Sequence, residues 1–348
     1  MTNWGGYWTE VKLDVLSKYL TAFNTASRSA RSTVYLDLFG GSLTHTREDN
    51  GKTFYGSTAR AVTTQPPFTR LAFWELDGPA ANLRKNLERE FPNDSRFTVV
   101  SGDCNLRLQE GLDSLGDLRW APTFAFIDPK GLELEWSTLE TLSTWREDHK
   151  GNRKVEMWIL VPEPAFARVL GLKGARGEGW AAQLTRYFGS EEWLPIYQRR
   201  QSEEFDPDRM RAEFINLMRW RLEMTLGYKW THALQLTNVF NQPVYTMVFA
   251  TDAKPGNKIM SSIYKSARVK GIPELQSQAK AIREEKRRES KGLFTLFDPG
   301  SPKVKTQEYV HTAPWKPPAH LATDVVIDET PSTEGVEEFE TWPSPDGS

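Results

Sequence analysis

Cysteine is nearly absent from this chain: Cys104 is the only one in 348 residues. A single thiol excludes an internal disulfide, an iron–sulfur cluster held by the chain's own thiolates, and a multi-cysteine zinc site. Histidine is scarce too, five in all and scattered, with no His-Glu-x-x-His spacing, so no structural metal is expected. No apolar run approaches the roughly 18 residues of a membrane span. The start, Met1 to Trp8, has neither a basic region nor an apolar one, so no signal peptide is expected and a cytoplasmic location follows. Neither charge dominates: 44 basic and 46 acidic residues leave a formal net charge of -2. That balance excludes a uniformly basic nucleic-acid coat and leaves room for local patches.

What is present is organised around Val34-Tyr35-Leu36-Asp37-Leu38-Phe39-Gly40-Gly41. An apolar run holding one acid and ending in two glycines reads as a buried parallel strand that stops in a tight turn. In an open α/β sheet that edge is where ligands bind, and glycines there let the backbone approach closely. The same pattern returns along the chain. Leu71–Asp77 is a strand ending in Glu75 and Asp77, Phe97–Asp103 ends in Asp103, and Thr123–Gly131 carries Asp128 before Pro129 and Lys130. Val155–Val161 is a fifth strand, closed by Pro162. Between them lie helical patterns: Thr9–Ala26 before the first strand, Gly56–Val62, the stretch with Leu83, Leu87 and Phe91, and Leu106–Leu115. Alternating strands and helices predict βαβ units and a mainly parallel sheet. Four carboxylates at strand ends suit a ligand offering ribose hydroxyls, an adenine amine and a positive centre.

The segment Ser42–Tyr55 reads as a polar loop. Aromatics among charges from Glu163 to Gly227 predict a helical insertion or cap, followed by an antiparallel hairpin, Lys229–Thr237 and Val244–Thr251, that closes the sheet. Lys254–Ile272 reads as a helix that Pro273 ends, and Arg283–Lys291 as a basic, solvated face that could also meet nucleic acid. Beyond Asp298 the composition turns to Pro, Thr, Ser and acid, too poor in apolar groups to offset the entropy of ordering. A mobile tail is expected, with Trp315 or Trp342 the side chains able to dock. The expected organisation is a core over residues 1–162, an insertion over 163–227, hairpin and basic helices over 228–298, and a tail over 299–348.

With these pieces placed, the chain resembles the three-Cys-motif partner protein (TcmP) family, whose members look like class I S-adenosylmethionine-dependent methyltransferases. The likeness rests on Trp8, Thr9 and Lys12, on Tyr35–Gly41, on Gly56-Ser57, on Glu75, on Gly102-Asp103-Cys104-Asn105, on Phe126–Gly131, and on Gly256–Met260. It spans roughly residues 7 to 298. It implies a Rossmann-like class I methyltransferase fold with S-adenosylmethionine as cofactor and a radical-type iron–sulfur protein bearing three cysteines as partner. Carried over residue by residue, Asp37, Phe39, Gly40 and Gly41 approach the methionine moiety, Glu75 takes the ribose hydroxyls, and Asp103 with Cys104 lies at the adenine. Asp128 and Lys130 face the methyl acceptor. Ser42-Leu43-Thr44 replaces a later glycine of the usual turn, and Lys130 stands where an aromatic would mark an amino-methylating enzyme.

Two readings stay open: a methyltransferase acting on a nucleic acid or related acceptor, or a non-catalytic or cofactor-holding subunit of the iron–sulfur protein. A Rossmann dehydrogenase lacks its G-x-G-x-x-G fingerprint here. Cys104, next to the charge of Asp103, reads as a small packed residue and not a nucleophile. His45 reads as a solvated loop histidine, with an acid–base role the alternative. Pro129 turns the chain sharply out of its strand and holds Asp128 near the crevice. There it either serves the acceptor or pairs with Lys130.

Overall fold

The structure, a computed structural model, describes residues 3–47, 49–146, 153–170, 175–289 and 308–321. The chain runs β1 (Asn3–Gly5), α1 (Tyr7–Ala26), β2 (Val34–Asp37), β3 (Thr44–Arg47), β4 (Thr53–Tyr55), α2 (Ser57–Thr63), β5 (Arg70–Glu75), α3 (Asp77–Glu90) and β6 (Phe97–Ser101). It continues through α4 (Cys104–Asp113), β7 (Thr123–Ile127), α5 (Trp136–Trp145), β8 (Glu156–Val161), α6 (Glu163–Leu170), α7 (Ala175–Phe188), α8 (Leu194–Gln201) and α9 (Pro207–Met224). β9 (Trp230–Thr237), β10 (Pro243–Thr251), α10 (Lys254–Ser266), a π-helical turn (Ala267–Gly271), α11 (Ile272–Glu289) and α12 (Pro318–Leu321) complete it.

Seven strands form one sheet in the order β6-β5-β2-β7-β8-β10-β9. The first five pair in parallel; β10 runs antiparallel to both β8 and β9. Residues of β7 and β8 are buried on both faces, as continuous apolar runs in a covered parallel sheet require. Alternation sorts the side chains into two cores. Tyr35, Phe124 and Trp158 face α1, α2, α3, α10 and α11, while Leu36, Ala125 and Met157 face α4, α5 and the helices α6 to α9. This is the expected Rossmann-like α/β fold of the class I methyltransferase kind, with its closing antiparallel hairpin and helical insertion. From β2 the chain moves outward to β5 and β6, then returns across to β7. The reversal puts the topological switch point, the place where open α/β sheets bind ligands, at the carboxyl edge between β2 and β7.

Three local expectations are corrected. Ser42–Tyr55 is not a loop: β3 and β4 form a three-stranded sheet with β1. Its charge does not keep it outside, because Arg47 is 1% exposed between the carboxylates of Glu10, at 2.8 Å, and Asp49. Nor does Pro273 end a helix; the helical backbone runs on through the π-helical turn into α11, of which Pro273 is the second residue. Residues 308–321 are no mobile tail. Tyr309 is buried, and Trp315, one of the two side chains expected to dock, hydrogen-bonds the body through Glu213 and Asn216. Trp342, Ser290 and Lys291 lie outside the described residues.

Candidate functional site

The four acids of the repeated pattern arrive on one edge because their strands are neighbours and parallel. Asp37 ends β2, Glu75 ends β5, Asp103 follows β6, and Asp128 follows β7. At the centre lies the glycine turn. Gly41 adopts φ +59, a conformation that a Cβ resists. Gly40 donates its N–H to the Trp74 carbonyl at 2.7 Å, and a Cβ there would stand 2.9 Å from Leu83 Cδ2. Glu75 reaches the same turn: one carboxylate oxygen accepts from Gly41 N–H at 2.7 Å, the other from Leu76 N–H at 2.9 Å. Phe39, partly buried, packs against the core that includes Cys104.

Asp103 is exposed and caps α4, accepting from Asn105 N–H at 2.9 Å. Cys104 beside it is 4% exposed and faces the core with Leu108 and Leu112. Burial, then the charge of Asp103, pushes its thiol up to about 12, so it is no thiolate at neutral pH. Asn105 ties two edge loops together: its amide donates to the Glu133 carbonyl at 2.8 Å, and its oxygen accepts from Glu135 N–H and the Thr138 hydroxyl.

Asp37 is fully buried, and burial lifts its carboxyl to about 7. Ser57 counters that shift, the negative charge of Asp128 adds to it, and Phe39 N–H and the Tyr35 hydroxyl each donate at 3.2 Å. The partner of Asp128 is Lys12 of α1, 2.5 Å away. Lys130, the expected alternative, is exposed; the turn at Pro129 carries it away from the strand end while α1 descends onto the crevice. The Lys12 ammonium also lies 5.1 Å from the Tyr245 ring centroid. His45 belongs to this group as well. It is half-buried, stacks on Phe54 at 5.9 Å, and burial lowers its pKa, with Lys12 adding to the effect. It is therefore not the solvated loop residue its sequence setting suggested.

Sequence reasoning missed Lys12 as a site residue, along with Ser57, Tyr35 and Tyr245. The one available signal was that Lys12, Tyr35 and Ser57 lie among the residues carrying the family resemblance. Among the described residues no group of three or more His, Cys, Asp or Glu could hold a metal ion, and no helix is long and apolar enough to cross a membrane.

The sequence matches no protein-family model, and no curated protein matches it. Solved structures similar to the chain include a Klebsiella pneumoniae protein provisionally assigned as an O-methyltransferase. It is 15% identical, with 70% of this chain and 90% of that one covered at a TM-score of 0.34. M. jannaschii TYW2, solved in complex with AdoMet, is 12% identical over 66% of this chain and 75% of its own, with a TM-score of 0.28. A Legionella pneumophila protein is 13% identical over 76% and 92%, with a TM-score of 0.41. With overlays this loose, no residue role is transferred from any of them.

The residues present fit S-adenosylmethionine by their own chemistry. Carboxylates that only accept hydrogen bonds suit a ribose diol and an adenine amine, and there is room beside Gly41, where an added Cβ would meet nothing nearer than the Phe39 carbonyl at 3.6 Å.

Proposed function

We propose that the chain binds S-adenosylmethionine across the β2–β7 crevice and is a methyltransferase-like protein of the three-Cys-motif partner type, methylating a nucleic acid or related acceptor. The observation that carries this is the convergence of Asp37, Glu75, Asp103 and Asp128 on adjacent parallel strands around the Gly40–Gly41 turn. Glu75 would exchange its bond with Gly41 N–H for the ribose hydroxyls, and the uncapped oxygen of Asp103 would accept from the adenine amine. Asp37, beneath the turn, would favour the cationic methionine end once ionised. The cofactor would supply an electrophilic methyl group; the chain's part is alignment of the acceptor with it. Asp128 would hold the acceptor proton, with Lys12 fixing its carboxylate and Lys130 at the outer rim. The basic stretch 283–291 would meet nucleic acid.

One observation favours the second reading, a cofactor-holding, non-catalytic subunit of a three-Cys iron–sulfur protein. Lys12 already occupies the Asp128 carboxylate at 2.5 Å, so an acceptor would have to displace an ion pair to reach it. Calorimetry with S-adenosylmethionine and S-adenosylhomocysteine tests the shared core of both readings. Binding is expected, weakened in Glu75→Ala by roughly 1.5–3 kcal/mol for each charge-assisted hydrogen bond lost. No heat and no thermal shift with either ligand at millimolar concentration would overturn it.

A further inference from the structure

Along α9, Glu213, Asn216 and Arg219 recur at helical spacing and are 2%, 1% and 5% exposed. A buried helix face would ordinarily carry apolar side chains there. What covers these three is the segment 309–315. Asn216 grips the main chain of Trp315 twice, its amide donating to the carbonyl at 2.8 Å and its oxygen accepting from the N–H at 2.9 Å. The Trp315 indole donates to Glu213 at 2.8 Å. Arg219 donates to the carbonyls of Thr312 and, at 3.0 Å, of Thr231 on β9. At the other end, His232 on β9 has its Nδ1 2.7 Å from the Tyr309 hydroxyl and its Nε2 2.6 Å from Asn257 Oδ1. Nε2 is thus the donor to Asn257, which leaves Nδ1 to accept from Tyr309.

Paired main-chain contacts plus specific side-chain contacts at separated positions are how grooves hold extended peptides. The seam is also polar, so the groups it covers can return to water, which an apolar core face cannot do without a large penalty. Residues 290–307, which join α11 to the segment, reach up to about 60 Å when extended. The segment can therefore leave without unravelling the helix before it.

We propose that α9 and β9 form a recognition groove for an extended segment, that residues 308–321 are its resident occupant, and that the same segment of a second copy of this chain can replace it. The buried tyrosine hydroxyl and the hydrogen-bonded indole of the more exposed tryptophan, six residues apart, set the pattern that is read. Exchange of this kind links two copies without any new contact type.

The test uses the full chain and a fluorescein-labelled synthetic peptide of residues 308–321. Saturable binding is expected, displaced by unlabelled peptide and lost when the peptide's own Trp315 is replaced by alanine. Full-length Trp315→Ala, whose resident segment is weakened, should bind the peptide about tenfold more tightly than wild type, because less of the groove is self-occupied. Should that variant fail to fold, Tyr309→Phe, which removes only the hydroxyl contact with His232, should shift affinity in the same direction. Sedimentation should show wild-type dimers at raised concentration that excess peptide dissolves. No saturable binding to any of these proteins, or equal binding of a scrambled peptide, would overturn the groove; a chain monomeric at every concentration would overturn exchange between copies.

Discussion

Asp128 and Lys12 meet with 23% and 8% of their side chains exposed, so each is the other's main source of charge compensation. Replacing Asp128 by Asn leaves the Lys12 ammonium between Tyr245 and Phe126 with no carboxylate. Removing one member of a buried pair costs about 3–5 kcal/mol, less where one side is wet; about 2–3 kcal/mol is expected for Asp128→Asn by chemical denaturation. Adding Lys12→Met should restore much of the loss, since the stranded charge is then gone. A single variant as stable as wild type would contradict this account. The pair also shows the limit of the sequence at this scale. Asp128 was legible as a strand-end acid, but its partner lies 116 residues away, and proximity along the chain pointed to Lys130 instead. His45 was misjudged likewise: nothing local reveals that α2 packs so close that a Cβ on Gly56 would stand 3.0 Å from its Nε2.

Elements were legible where an apolar run had a clear end. The strands β2, β5, β6, β7 and β8 announce themselves by apolar residues stopped by an acid or proline. β3 and β4 do not, because Thr, His and Arg carry their alternation and Glu10 of α1 supplies the charge that lets Arg47 go inside. How a helix docks was equally hidden. Helix α4 lies on β5 so closely that a Cβ added at Gly111 would come 2.1 Å from the Trp74 ring, and that ring is fixed by an indole hydrogen bond to the Arg107 carbonyl at 2.9 Å. Gly111→Ala would normally strengthen a helix by about 1 kcal/mol. Here overpacking should dominate, with a net loss of about 1–3 kcal/mol. A melting temperature equal to or above that of wild type would show that Trp74 can shift.

At the scale of the whole molecule, acids held neutral in the interior couple stability to pH. Glu156 is buried and accepts from the hydroxyls of Tyr19 and, at 2.8 Å, Thr251; burial raises its carboxyl from 4.5 to about 7. Between those values the unfolded chain has lost the proton and the folded chain keeps it, so this contribution to stability falls as pH rises, and the penalty is complete above about 7. His232, lowered by burial to about 4, acts with the opposite sign, so the comparison must isolate one group. Glu156→Gln should gain on wild type by up to about 3 kcal/mol between pH 4.5 and 8, read from denaturant titrations across that range. A difference independent of pH would remove Glu156 as the source. The order of the sheet carries a further consequence, for synthesis. β9 is translated before β10 yet lies outside it, so its one strand neighbour among the described residues does not exist when it leaves the ribosome. The polar stripe of α9 then waits for Tyr309 and Trp315, which at about 5–20 residues per second takes on the order of ten seconds. A nascent chain therefore shows any neighbour an unfinished edge and an open groove together, and polysomes, where copies emerge side by side, are where a segment from the wrong chain has its best opportunity to settle in.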